Sequence, residues 1–122
     1  MNINLKSLNI ELTPQIRDYV DKKVNGLEKF IHRVDESVQA WVEVSKTTNH
    51  HQKGDVFRVY IQIHLPHYAK GVRAEATHES LNAAIDDAHD QIKLELEKAK
   101  EKKISLARRG SRLFKKILFL KK

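Results

Sequence analysis

Apolar residues recur with two rhythms along the chain, and the switches between them mark out its elements. Over residues 2–12, Ile3, Leu5, Leu8, Ile10 and Leu12 alternate loosely with polar residues. The spacing slips between Leu5 and Leu8, which predicts a first strand with an irregularity. Thr13-Pro14 follows. Threonine can cap the first amides of a helix, and proline at the first helical position gives up no needed hydrogen bond. From there Ile16, Tyr19, Val20, Val24, Leu27, Phe30 and Ile31 form one stripe at helical spacing, so a helix is predicted to about Ile31. Lys23 falls within the arc of that stripe and must reach water from its edge. Asp18, Asp21, Lys22, Asn25 and Lys29 take the other side.

The period then returns to two. Residues 37–46 predict a strand with Val38, Ala40, Val42 and Val44 on one face and Gln39, Trp41, Glu43 and Ser45 on the other. Thr47 to Gly54 is a polar loop. A third strand is predicted from about Asp55 to Leu65, with Phe57, Val59, Ile61, Ile63 and Leu65 on one face. Pro66 and Gly71 bracket a turn, and a short fourth strand covers Val72 to Ala76. A last helix is predicted from near His78, capped by Thr77, to about Lys103. Leu81, Ala84, Ile85, Ala88, Ile92, Leu96 and Ala99 supply its buried stripe. The order β-α-β-β-β-α, with strands polar on one side, predicts an α+β two-layer sandwich. Its sheet is open, four-stranded and mainly antiparallel, with both helices packed on one face.

Composition changes this picture little, and charge changes it a great deal. The 122 residues suffice for one domain. There is no cysteine, which excludes disulfides and zinc–thiolate sites. The start shows no apolar signal segment, and no run approaches the roughly 18 apolar residues of a membrane span. A cytoplasmic location is the resulting expectation. The net charge is +7, but eleven of the 23 Lys/Arg lie from Lys98 onward against the single acid Glu101. That segment therefore carries +10 and the remainder −3. Such a basic block fits a polyanionic partner. Residues 104–122 depart in composition and form a separate basic, amphipathic C-terminal tail, set against a domain spanning 1–103.

Sites of chemistry are not apparent. The seven histidines lack metal-ligand spacing: His50 and His51 lie in a loop, and His64 and His67 flank a turn. Asp86, Asp87 and Asp90 match the dipole of an acidic first half-helix, and adjacent helical residues point apart. No glycine-rich phosphate loop or nucleophile elbow occurs. An enzyme is not expected, and no metal, cofactor or small-molecule substrate is implied. Trp41 and Tyr60 on the polar sheet face suit either base stacking or cross-strand packing.

Several stretches together resemble one family. They are Ile61-Gln62-Ile63-His64-Leu65-Pro66, Gly71-Val72-Arg73-Ala74-Glu75-Ala76 and Ala83-Ala84-Ile85-Asp86, with Lys23-Val24 and Leu27-Glu28-Lys29-Phe30 in the first helix and Thr13-Pro14 before it. They are similar to the short form of the ribosome hibernation-promoting factors, a family that includes the ribosome-associated inhibitor protein Y and proteins labelled sigma-54 modulation. The resemblance implies a fold similar to double-stranded-RNA-binding domains. It also implies binding to the rRNA of the small ribosomal subunit, with occlusion of the mRNA and tRNA channel and so inhibition of translation. Matching positions make Lys23, Lys29, Arg73, Lys98, Lys100 and Lys102 rRNA-binding candidates. Lys22, Lys103, Arg108, Arg109 and Arg112 join them from the same basic stretches, and Lys93 from the otherwise acidic part of the last helix.

The sequence departs from the family pattern at Gly26, at Ser80-Leu81-Asn82, and at Gln91-Ile92-Lys93-Leu94-Glu95, where two family cations are missing. The dimerising domain of long members is not seen, so self-driven pairing of ribosomes is not expected. A rival reading is a membrane-surface or protein-interaction module working through Leu113 to Lys122. A third is a general RNA-binding module with no ribosomal role.

Overall fold

In the computed structural model, which describes residues 1–31, 38–48, 55–65 and 68–99, the first rhythm forms strand β1 (Asn2–Leu8). Ile3, Leu5 and Ser7 turn inward and Leu8 turns outward, 44% exposed. The slip in spacing is therefore not a bulge. The strand ends there, because Asn9 takes a left-handed conformation with φ 59° that asparagine tolerates better than most residues. Ile10 and Leu12 still pack against the core from the connecting segment.

Helix α1 (Pro14–Asn25) opens as anticipated, the Ile16 N–H donating to the Thr13 hydroxyl at 3.2 Å. It does not continue as α-helix to Ile31. At Gly26, a poor helix former, it tightens into a 3-10 segment (Gly26–Phe30). Val20, Val24, Leu27 and Ile31 are buried along its inner side.

Strands β2 (Gln39–Thr48), β3 (Asp55–Leu65) and β4 (Tyr68–His78) complete one sheet in the order β1-β2-β3-β4. The β2–β3 and β3–β4 pairs are antiparallel, whereas β1 pairs with β2 in parallel, Asn2 facing Gln39 and Leu8 facing Ser45. A helix between neighbouring strands carries the chain back to the end where β1 began, so the second strand must run the same way as the first. The open antiparallel sheet is thus a mixed one, mainly antiparallel.

Strand β4 is longer than its apolar alternation indicated. Near its start lies Gly71, whose φ of 62° accommodates an irregularity between Ile63 and Leu65 of β3. Its end includes Thr77, which pairs with Arg58 in the ladder and does not cap a helix. Ser80 takes the capping role: its hydroxyl accepts from the Ala83 N–H at 3.4 Å and its carbonyl from the Ala84 N–H at 3.0 Å. Helix α2 follows over 81–99; the predicted extension to Lys103 lies outside the described residues.

The core lies between the sheet and both helices. Val42, Val59, Ile61 and Ile63 from the strands meet Leu27, Ile85, Ile92 and Leu96 from the helical layer, all at most 2% exposed. Burying each such side chain is worth roughly 1.5–3 kcal/mol. The opposite sheet face, with Trp41, Gln62, His64, Arg73 and Glu75, stays open.

Gly71 and Gly26 should respond oppositely to alanine. A Cβ at Gly71 would sit 2.7 Å from the Ile63 carbonyl oxygen at a positive φ, while one at Gly26 meets nothing within 4 Å. Gly71→Ala is expected to lower unfolding free energy by more than about 1 kcal/mol, and Gly26→Ala to raise it by about 0.5 kcal/mol. Urea titrations of the two variants check the pair.

Candidate nucleic-acid interface

The two helices share one sheet face and so run beside each other, and a groove of about 400 Å³ opens along their seam. Tyr19, Lys22 and Lys23 reach it from α1, Gly26, Lys29 and Phe30 from the 3-10 segment, and His89, Asp90 and Lys93 from α2. The tightening at Gly26 shapes this edge by turning Lys29 and Phe30 toward α2.

Four lysines line the groove, in two kinds of environment. Lys23 is 34% exposed, as its place at the edge of the apolar stripe demanded, and its ammonium lies 3.2 Å from Asp86 Oδ1. The Tyr19 hydroxyl donates to the same oxygen, and the Lys23 ammonium stands 5.7 Å from the Tyr19 ring centre. Asp86 therefore fastens α2 to α1 by two groups from adjacent turns. Lys29 and Lys93 come from different elements toward one ring, their ammonium groups 5.2 and 5.0 Å from the centre of Phe30. Such cation–π contacts hold a lysine stem in place without neutralising its charge. Among the described residues, Lys22, Lys29 and Lys93 have no carboxylate partner.

The acids beside the groove are engaged. The Tyr19 hydrogen bond, and after it Lys23, holds the Asp86 carboxyl below the usual range, and the same hydrogen bond raises the Tyr19 hydroxyl. Asp87 points elsewhere, as neighbouring helical residues do. It lies 2.7 Å from His78 Nε2 and accepts from Gln91 at 3.2 Å, and the His78 bond first, then that from Gln91, lowers its pKa. Gln91 also donates to the Glu75 carbonyl at 3.1 Å, tying α2 to β4. Asp90 pairs with His89 at 3.0 Å. No cluster of three or more His, Asp or Glu able to hold a metal occurs among the described residues.

The structure thus brings Lys22, Lys23, Lys29 and Lys93 to one place. Lys98 is exposed farther along α2, 3.5 Å from Glu95 and outside the groove lining. Arg73 lies on the open sheet face, separated from the lysines by the sheet itself. Lys100, Lys102, Lys103, Arg108, Arg109, Arg112, His50, His51, His67 and the tail lie outside the described residues. Phe30, Tyr19 and His89 were not anticipated as groove residues. Aromatic residues in a helical stripe read as core, and only the helix–helix seam shows that two of them stand half-buried at its rim. Gly26 adds neither charge nor a required backbone conformation here.

A mixed four-stranded sheet covered on one side by two helices, with lysines gathered where the helices meet, defines a small α+β domain with a cationic inter-helix groove. By its sequence the chain belongs to the Sigma 54 modulation protein / S30EA ribosomal protein family, whose model matches residues 3–104. It is 32% identical over 104 residues to the ribosome hibernation promoting factor of Azotobacter vinelandii, covering 85% of this chain and 87% of that protein. It is 30% identical over 102 residues to the ribosome hibernation promotion factor of Bacillus subtilis, spanning 84% of this chain but 50% of the relative's length. The N-terminal domain of Thermus thermophilus Protein Y has the same fold, with TM-score 0.65 and 35% identity over 80% of this chain and 98% of that one.

The Asp86 contacts have a consequence for acid stability. A carboxyl held low in the folded state adds stability above its unfolded value of about 3.9, and that stability fades as pH falls through the lower folded value. Asp86→Asn should cost on the order of 1 kcal/mol at neutral pH, discounted for half-exposure, and weaken the loss of stability below about pH 4. Denaturant midpoints from pH 2 to 7 for both proteins check the slope.

Proposed function

We propose that the protein is a cytoplasmic ribosome hibernation factor that binds small-subunit rRNA along the inter-helix groove and blocks the channel used by mRNA and tRNA. The convergence of Lys22, Lys29 and Lys93 from three elements on one groove, none paired with a carboxylate among the described residues, carries this reading. Family membership and relatives named as hibernation factors support it. Such factors act by binding and not by catalysis.

The groove suits a phosphate backbone better than a base sequence. Its donors are ammonium groups on flexible stems, which neutralise phosphates and release their counterions without reading base edges. RNA recognised in this way is read by shape and charge. Lys23 adds less than its neighbours, because Asp86 already balances it. The missing mid-helix family cations leave Lys93 as the lysine of α2 that meets the groove. Lys98, Lys100, Lys102, Lys103, Arg108, Arg109 and Arg112 extend the contact beyond it, the tail forming a second basic segment after the domain.

Co-sedimentation with purified small subunits across a salt series tests the proposal. Lys22→Ala/Lys29→Ala/Lys93→Ala should weaken binding on the order of tenfold and reduce the magnitude of the salt slope by about one per lysine. Gly26→Lys should act in the opposite direction. Unchanged binding by the triple variant would remove the groove from the contact surface. A version ending at Lys103 isolates the tail's share. Binding to anionic liposomes without binding to subunits would instead favour a membrane-surface module.

A further inference from the structure

The sheet face turned away from the helices carries the chain's single tryptophan. Cross-strand register sets four residues in a row over it, one per strand: Asn4 opposite Trp41, Trp41 opposite Gln62, Gln62 opposite Arg73. Trp41 is 43% exposed and borders a shallow cleft of about 290 Å³ with Asn4, Lys6, Glu43 and Tyr60. Side-chain hydrogen bonds hold its neighbours in place. Asn4 Nδ2 donates to Gln39 Oε1 at 3.3 Å, and the Tyr60 hydroxyl donates to Gln62 Oε1 at 3.4 Å. Among the described residues these bonds leave the Asn4 carbonyl oxygen and the Gln62 amino group unengaged, an acceptor and a donor on either side of an open indole.

The charges are arranged with equal economy. Arg58 grips Glu75 with two bonds of 2.7 and 2.8 Å, so those two cancel. Lys6 and Arg73 stand toward opposite edges of the sheet with no ion-pair partner among the described residues, against the one remaining acid of the face, Glu43. Apart from Trp41, Tyr60, Val56 and Leu8, which do not merge into one broad apolar patch, the described side chains of the face are carboxamides, hydroxyls, an imidazole and charges. A protein-docking surface would need a contiguous apolar centre depleted of charge. An aromatic plane flanked by carboxamides and outlying cations fits an unpaired nucleotide, whose base stacks, whose edge accepts and donates hydrogen bonds, and whose phosphates are anionic.

We propose that this face is a second nucleic-acid site, where one unpaired base of single-stranded RNA stacks on Trp41 between Asn4 and Gln62 and its flanking phosphates meet Lys6 and Arg73. It lies across the sheet from the groove, so its success or failure is independent of the groove's.

Because Trp41 is the sole tryptophan, its fluorescence reports the site directly in the full chain. Single-stranded RNA hexamers of uridine or adenosine should quench it saturably and shield it from acrylamide, while a duplex of equal length should not. Lys6→Ala/Arg73→Ala should move the quenching midpoint about fivefold or more to higher RNA and lower the salt slope by about two. Lys22→Ala/Lys29→Ala/Lys93→Ala should leave the midpoint unchanged. In photo-crosslinking with a thiouridine hexamer, Trp41→Ala should reduce the yield from the β2 peptide about fivefold or more, with unaltered circular dichroism. Absence of quenching by a protein that still sediments with small subunits would overturn the sheet-face site and leave the groove standing. Quenching lost in the groove variant but kept in Lys6→Ala/Arg73→Ala would also overturn it. Quenching by ribosomal proteins stripped of RNA, with none from the oligonucleotides, would reassign the face to a protein partner.

Discussion

Both helices must cover the same face of the sheet, because that face alone is apolar. Ala40, Val42, Val44, Val59, Ile61, Ile63, Val72, Ala74 and Ala76 all point to one side and are all at most 7% exposed. A single helix is about 10 Å across and leaves part of a four-stranded sheet uncovered. Two side by side complete the layer, and their meeting creates the seam where the lysines collect. The groove is a by-product of core burial, and the residues at its rim are those whose place on each helix lies just beyond the buried stripe.

That seam is held by polar contacts at the edge of an apolar interface. Asp86 accepts from Tyr19 and pairs with Lys23, while Asp87, one residue on, turns to His78 and Gln91. One adjacent pair of acids thereby links α2 to α1 and to β4. The acidic first half of α2 has a structural use beyond its match to the helix dipole. Asp86 is balanced by Lys23, whereas Asp90 stays exposed beside His89 in the groove lining and remains a negative group among the lysines. Lys29 and Lys93 meet at a phenyl ring, which positions them and leaves them charged.

The sheet separates two surfaces of different chemistry. The helical side offers ammonium groups on a grooved surface, suited to a backbone of phosphates. The open side is flatter, pinned by backbone ladders and cross-strand side-chain bonds, and centred on an indole. Alternation along each strand enforces this separation, since successive side chains cannot face the same way. No helix among the described residues is long and apolar enough to cross a membrane.

Much of the fold was legible in the apolar rhythm: the strands, the helices, the shared inner face and the Thr13 cap follow from spacing and local chemistry. The misjudged places are those where backbone geometry overrode the pattern. Asn9 ends β1 after Leu8 although the alternation runs on to Leu12, Gly71 lets β4 pass through the predicted turn, and Ser80 displaces Thr77 as the cap of α2. The parallel pairing of β1 with β2 is a matter of connection and not of pattern. Within the candidate site, the lysines could be named from motifs and stripe edges, but their company could not. Lys22, Lys29 and Lys93 are up to 71 positions apart in the chain, and Phe30 and Tyr19 read as core until the second helix is beside them. By itself the sequence determined which residues face inward, because burial follows period, and it determined where the positive charge lies. Only tertiary structure decided which cations share a groove and that Arg73 stands across the sheet from them, because those neighbours are set by how layers pack.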